Sequence, residues 1–260
     1  MTLPLADTHV HLLAGLDDGP RDQDEALALC RQLVADGVRS ATALAHQNST
    51  YPGNTPARIT EATAELAALL RGKAIPLAVT PTAEVVLSDD LVARWKAGEL
   101  LSVGGRGKYL LAEMPHRVFL DPRPTARALK ALGVRMIVAH AERYEPMLLD
   151  PGYTQECVAA GCLIQVTVEA LAMSSDRETA ALKEWANRGL IHLLGSDGHR
   201  LDFRPPKWRD GYRVFQRWVG AAAAEKVGSI WGGAVLQNLS VNPPPVRVKP
   251  KTWFSRVLGL

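Results

Sequence analysis

The chain has 260 residues, enough for one large α/β barrel or two modest domains, and its 47% hydrophobic and 22% charged content is that of a globular protein with a full core. A net charge of only +3 gives no basic field of the kind that gathers nucleic acid, and no stretch nears the roughly 20 apolar residues of a membrane span. The N-terminal residues lack a charged segment followed by a long apolar run, and the three cysteines (Cys30, Cys157, Cys162) lack metal-type spacing. Both features point to reduced thiols in a cytoplasmic protein.

In chain order, the first apolar run, residues 5–11, reads as a strand. It presents His9 and His11 on one face, because residues two apart in a strand point the same way. Asp17 and Asp18 follow just before Gly19. "DQDEALALCRQLVADG" predicts a helix, with acids in its first turn and Gly37 at its close. A second strand, 39–46, ends in His46. "TPARITEATAELAALLRG" predicts a helix with Thr55 as N-cap, Pro56 at its first position and Gly72 at its end. The third strand, 75–80, leads into Glu84, and the fourth, 109–113, ends in Glu113. The fifth, 135–140, ends in His140, while the sixth, 163–168, supplies no obvious ligand. After the helix "SSDRETAALKEWANRG", the seventh strand, 191–196, runs into "GSDGH", where Asp197 and His199 are again two apart.

Seven strands alternating with helices predict parallel βαβ units. Their simplest closure is an α/β fold of the distorted (β/α)7, TIM-like barrel type, with an open doubly wound sheet as the competing arrangement. The barrel is assigned to residues 1–241. Residues 242–260 form a tail with a proline brake, basic Arg247, Lys249 and Lys251, and Trp253, Phe254, Val257 and Leu258 on one face if helical. It reads as a terminal helix docked on the body, or as a basic amphipathic contact for a membrane surface or partner.

The C-terminal ends of parallel barrel strands open onto one face, where barrel active sites are built. Five of the seven histidines fall there (His9, His11, His46, His140, His199), in company with Asp or Glu and never Cys. Imidazole with carboxylate suits Mn, Fe or Zn ions, and nine ligands suit a cluster of two or three ions. His192 has the opposite parity to Asp197 and His199 and is expected to face the helices as a structural residue. His116, in the loop after Glu113, is a candidate for supporting the ligands.

The segments "DTHVHLLAGLDDG", "ALAH", "AEVVL", "LLAEMP", "IVAHAERY" and "GSDGHRLDFRPP" resemble, in order, the motifs of PHP (polymerase and histidinol phosphatase) domain phosphoesterases. They are most similar to the branch of manganese-dependent protein-tyrosine phosphatases associated with bacterial capsule and exopolysaccharide operons. The resemblance implies that His9, His11, Glu84 and Asp197 hold one ion, and Asp18, His46 and His199 a second. Glu84 as a bridge, with Glu113 and His140, would hold a third. It selects Asp18 over Asp17, which would then cap or solvate the loop. It also places Arg143 and Arg204 as phosphate binders, with His199 beside them in catalysis. The implied partner is a phosphotyrosine protein, a bacterial tyrosine kinase controlling polysaccharide export.

The chemistry agrees with that implication. Metal-bound water ionises near pH 7, and two ions about 3.5–4 Å apart would bridge the hydroxide and clamp a phosphoryl group. A cysteine-nucleophile route requires an arginine six positions after the thiol, and none of the three cysteines has one. The competing expectations are a phosphoesterase for sugar, histidinol or nucleotide phosphates, and a metal-bound regulatory module without turnover. An amidohydrolase is disfavoured because Glu113 stands where those barrels carry a carboxylated lysine.

Overall fold

A computed structural model describes residues 3–115 and 118–244. The tail beyond residue 244 and His116 therefore lie outside the described residues. Seven strands form one parallel sheet in sequential order: β1 (Leu5–Asp7), β2 (Val38–Gln47), β3 (Ala78–Val86), β4 (Tyr109–Glu113), β5 (Arg135–Val138), β6 (Leu163–Thr167) and β7 (Leu193–Gly195). Backbone hydrogen bonds Thr8 N to Leu194 O (3.2 Å), Asp197 N to His9 O (2.7 Å) and His11 N to Gly198 O (2.9 Å) join the two edges. The sheet is thus a barrel and not an open doubly wound array.

The anticipated helices form with the expected caps. Helix Gln23–Asp36 starts on the Asp22 side chain and stops at Gly37, whose φ of 99° is one that glycine adopts at low cost. Helix Pro56–Gly72 is capped by Thr55, and helix Asp176–Asn187 begins with a capping box between Ser175 and Glu178.

Apart from single-residue differences at the ends, four strands depart from expectation: β5 stops at Val138, short of His140, β7 spans only Leu193–Gly195, and β3 and β1 shift further. β3 lies three residues later than the pattern suggested, so Glu84 sits within the strand and pairs with His46 of β2. Pro81 argues against a central strand, but β4 joins β3 only from Glu84 onward, so Pro81 lies where β3 is still an edge. β1 ends early: beyond Asp7 the chain leaves the ladder and returns only in isolated bridges, Val10 with Gly198 and His11 with Leu44.

The barrel interior is graded along its axis. Ala6, Leu44, Tyr109, Leu111, Ile137, Leu163 and Leu193 pack together, and Val235, Leu236 and Val241 close that end. The Tyr109 hydroxyl donates to Leu239 O (2.7 Å) and accepts from Val241 N (3.0 Å), fastening the plug. One step further along the same strand faces come His46, Glu113 and Gln165. The larger apolar cluster fills the layer between strands and helices. Apolar residues floor the barrel, and polar ones fill its C-terminal mouth.

Candidate metal centre

The expected ligands converge at that mouth, and hydrogen bonds set which ring nitrogen faces inward. Gln165 donates through Nε2 to Thr8 O (3.1 Å) and Thr8 Oγ1 (2.7 Å), so its Oε1 accepts from His9 Nδ1 at 2.8 Å. His9 Nε2 therefore carries the lone pair, 3.3 Å from Glu84 and 3.4 Å from Asp197. His11 donates Nδ1–H to Asp17 Oδ2 (2.7 Å), which leaves Nε2 3.5 Å from Glu84. His199 donates Nδ1–H to the Asp197 carbonyl (2.8 Å), and its Nε2 lies 3.4 Å from Asp18. His140 Nδ1 meets the Tyr144 hydroxyl (2.9 Å), while Nε2 reaches Glu84 (3.0 Å) and Glu113 (3.9 Å). Carboxylate, carbonyl or amide partners on the outer nitrogen are how metal-binding imidazoles are held.

His46 stands between two of the anticipated groups. Its Nε2 is 3.5 Å from Asp18, and its Nδ1 is 3.3 Å from Glu84 and 3.5 Å from Glu113. Its ring stacks on Tyr51, nearly parallel at 4°. Three sets have potential ligand atoms within 4.8 Å of one another: His11, Asp18, His46 and His199; His9, His11 and Glu84; and His46, Glu84 and Glu113. His9 Nε2, His11 Nε2, His46 Nδ1 and Glu113 Oε1 are all buried without a hydrogen-bond partner. Buried polar atoms are costly unless paired, and these face one another across the mouth. The donor set fits divalent cations.

Electrostatics point the same way. Burial opposes ionisation of Glu84, yet His9, His11 and His140 hold it well below the usual carboxylate range. Burial likewise works against Asp197, which His9 and Arg143 pull down. His9, though disfavoured as a cation by burial, is raised by Glu84 and Asp197, and His11 is raised well above the usual imidazole value by Asp17. His199 is lowered by burial and by the neighbouring His11. Packed carboxylates here draw positive charge inward. His140 (φ 30°) and Asp197 (φ 51°) adopt the left-handed backbone, a strained conformation that clusters at functional sites.

Both anticipated arginines reach the mouth. Arg143 Nη2 and Arg204 Nη1 (3.0 Å) donate to the same oxygen, Asp197 Oδ2. Arg143 does not pair with Glu142, which instead accepts from the backbone N and hydroxyl of Thr167. His192 accepts from Ile164 N (2.9 Å) and lies beside Trp231, on the helix side.

Two contributors escaped the sequence reading. Asp17 does more than cap its loop: Oδ1 accepts from Gly19 N (3.0 Å), while its buried Oδ2 orients His11 and also accepts from His46 N (2.9 Å). β6 is not idle, since Gln165 orients His9. The available signal was a lone amide inside the apolar run "LIQVT".

The family model described as "Capsular polysaccharide synthesis, CpsB/CapC" matches residues 5–237. The tyrosine-protein phosphatase YwqE of Bacillus subtilis is 27% identical over 260 residues, covering 96% of this chain and 99% of that one. The tyrosine-protein phosphatase CpsB of Streptococcus pneumoniae is 23% identical, covering 86% and 94%. A crystal structure from the pair YwqE and CpsB, described as unique metal-dependent tyrosine phosphatases, aligns with TM-score 0.83 at 25% identity, covering 93% of this chain and 98% of that one.

Proposed function

The chain belongs to the CpsB/CapC family of capsular polysaccharide synthesis proteins, and from that premise we propose that it is a metal-dependent protein-tyrosine phosphatase of the PHP type. The observation that carries the reading is the pair of arginines on Asp197 Oδ2, directly above a buried histidine and carboxylate cluster. An anion-binding fork and a divalent-ion site thus share one carboxylate.

His9, His11, Glu84 and Asp197 would hold one ion, Asp18, His46 and His199 a second, and Glu84, Glu113 and His140 a third, with Mn favoured over Fe and Zn. Bound ions supply acidified water and charge neutralisation for phosphoryl transfer. The protein's own groups do the rest. Arg143 and Arg204, with side chains 42% and 31% exposed, are placed to exchange Asp197 Oδ2 for equatorial phosphoryl oxygens. His199, fixed through its Nδ1–H, keeps Nε2 toward Asp18 and the mouth. A tyrosine leaving group has a pKa near 10 and needs little help from a general acid. Cys30 and Cys157 are buried thiols pushed up to about 12, unsuited to act as the nucleophile.

The assigned partner is a phosphotyrosine protein, a bacterial tyrosine kinase of polysaccharide export, met in the cytoplasm. Among the described residues no helix is long and apolar enough to cross a membrane. The test compares hydrolysis of a phosphotyrosine peptide with sugar, nucleotide and histidinol phosphates under Mn²⁺. Preference for the peptide upholds the reading. Preference for a metabolite by orders of magnitude replaces the substrate and keeps the site.

A further inference from the structure

A cavity of about 380 Å³, within the size range of small-ligand sites, opens beside the metal centre and shares Arg143 as a wall. Its carboxylates differ in what they already hold. Glu169 is occupied by Lys207 Nζ at 2.7 Å, and Glu178 is spent on the capping box with Ser175. Glu142 is only 8% exposed; its Oε1 accepts from Thr167 N (3.1 Å) and Thr167 Oγ1 (2.6 Å), and its Oε2 is buried without a donor. Burying a carboxylate oxygen without a donor is costly, so a ligand cation that parts the atoms covering it meets an acceptor already stripped of water. Leu148, Leu182 and Met173 give the same cavity an apolar wall. A wall of that kind suits the methylene stem of a long cationic side chain whose head seeks a carboxylate. It does not suit a hard cation such as Ca²⁺ or Mg²⁺, which takes oxygen ligands on all sides.

Resting on the phosphatase reading above, we propose that this cavity receives a lysine or arginine side chain of the phosphotyrosine-bearing polypeptide, a few residues from the phosphotyrosine, with Glu142 as its acceptor. Arg143 belongs to both sites: its guanidinium donates to Asp197 Oδ2, and the same residue lines the slot. Substrate choice then depends on a flanking charge as well as on the phosphoryl group.

The test uses the Mn²⁺-loaded full chain and phosphotyrosine peptides that differ only by Lys, Ala or Glu at each position within four residues of the phosphotyrosine. Rates are normalised to p-nitrophenyl phosphate, which has no flanking side chain. Lys at one position is expected to raise kcat/KM about tenfold over Ala, mainly through KM, the scale of one charge-assisted hydrogen bond. Glu142→Gln keeps the acceptor for Thr167 and removes the charge, so the preference should fall to within about twofold. Met173→Lys, at an exposed position that tolerates substitution, puts a rival cation at the rim and should do the same. Equal turnover of Lys, Ala and Glu peptides by the unaltered protein overturns this inference and leaves the phosphatase reading standing, as does a preference that survives both variants. Failure to hydrolyse any phosphotyrosine peptide, with a metabolite turned over instead, overturns both.

Discussion

Replacing Gln165 with leucine keeps the volume of a buried side chain and deletes three hydrogen bonds: to His9 Nδ1 (2.8 Å), Thr8 O (3.1 Å) and Thr8 Oγ1 (2.7 Å). His9 loses the acceptor that fixes its tautomer and ring angle. Losing such a partner typically weakens metal binding by 10–100-fold, or about 1.4–2.8 kcal/mol. The fold also loses stability. The Thr8 hydroxyl keeps its bond to Leu194 O (2.9 Å), so the groups left bare are chiefly His9 Nδ1–H and Thr8 O. At about 1–3 kcal/mol for each unsatisfied buried group, the loss should be about 2–4 kcal/mol once partial relaxation is allowed. Competition for Mn²⁺ against a fluorescent chelator measures the first quantity, and urea unfolding of the chelated protein measures the second. Gln165→Glu retains an acceptor for His9 and should bind Mn²⁺ better than Gln165→Leu. Wild-type Mn²⁺ affinity in Gln165→Leu would refute the reasoning, because His9 Nε2 would then not depend on the β6 amide.

Asp17→Asn should weaken Mn²⁺ binding by about 10–100-fold although Asp17 is not assigned as a ligand, read by the same competition assay. Gly195→Ala should lower stability by about 1–3 kcal/mol or more in urea unfolding, since a Cβ there would lie 2.4 Å from His9 Cβ and 3.1 Å from His9 N. Burial and nearby Arg135 push His192 down to about 3, so the fold demands its neutral form. Its contribution is complete above the unfolded value of about 6.5 and is lost as pH falls toward 3, amounting to about 2 kcal/mol by pH 5. Urea midpoints of chelated wild type and His192→Asn at pH 7 and 5 should therefore diverge least at the lower pH. Iodoacetamide under native conditions should leave phosphatase activity intact, because Cys30, Cys157 and Cys162 are buried and their thiols are raised.

The barrel and most of the site were legible because parallel strands deliver their C-terminal ends to one face, and histidines with carboxylates recur at those ends. What stayed hidden depends on three-dimensional neighbours. The role of Asp17 rests on His11 and His46, which are 6 and 29 positions away. Gln165 acts on His9 across 156 positions. β3 lies later than 75–80 because its ladder with β2 runs from Ala78 to Val85 and carries Pro81 where β4 has not yet joined, neighbours that the sequence does not show. Strand parity did not place His140, because a left-handed backbone after β5 turns it into the mouth. The orphaned oxygen of Glu142 belongs to the same class: a carboxylate beside an arginine in "AHAERY" says nothing about its partners until Thr167 is seen to hold one oxygen and leave the other.

The most direct test of the central claim is phosphotyrosine hydrolysis by protein stripped with a chelator, before and after Mn²⁺ is restored, in wild type, His9→Ala and Arg143→Ala. The account predicts no turnover when stripped, recovery with Mn²⁺ in wild type, and loss of about 10²-fold or more in both variants, of which only His9→Ala also loses Mn²⁺ affinity. Undiminished hydrolysis by the stripped protein, or full activity in His9→Ala, would contradict it.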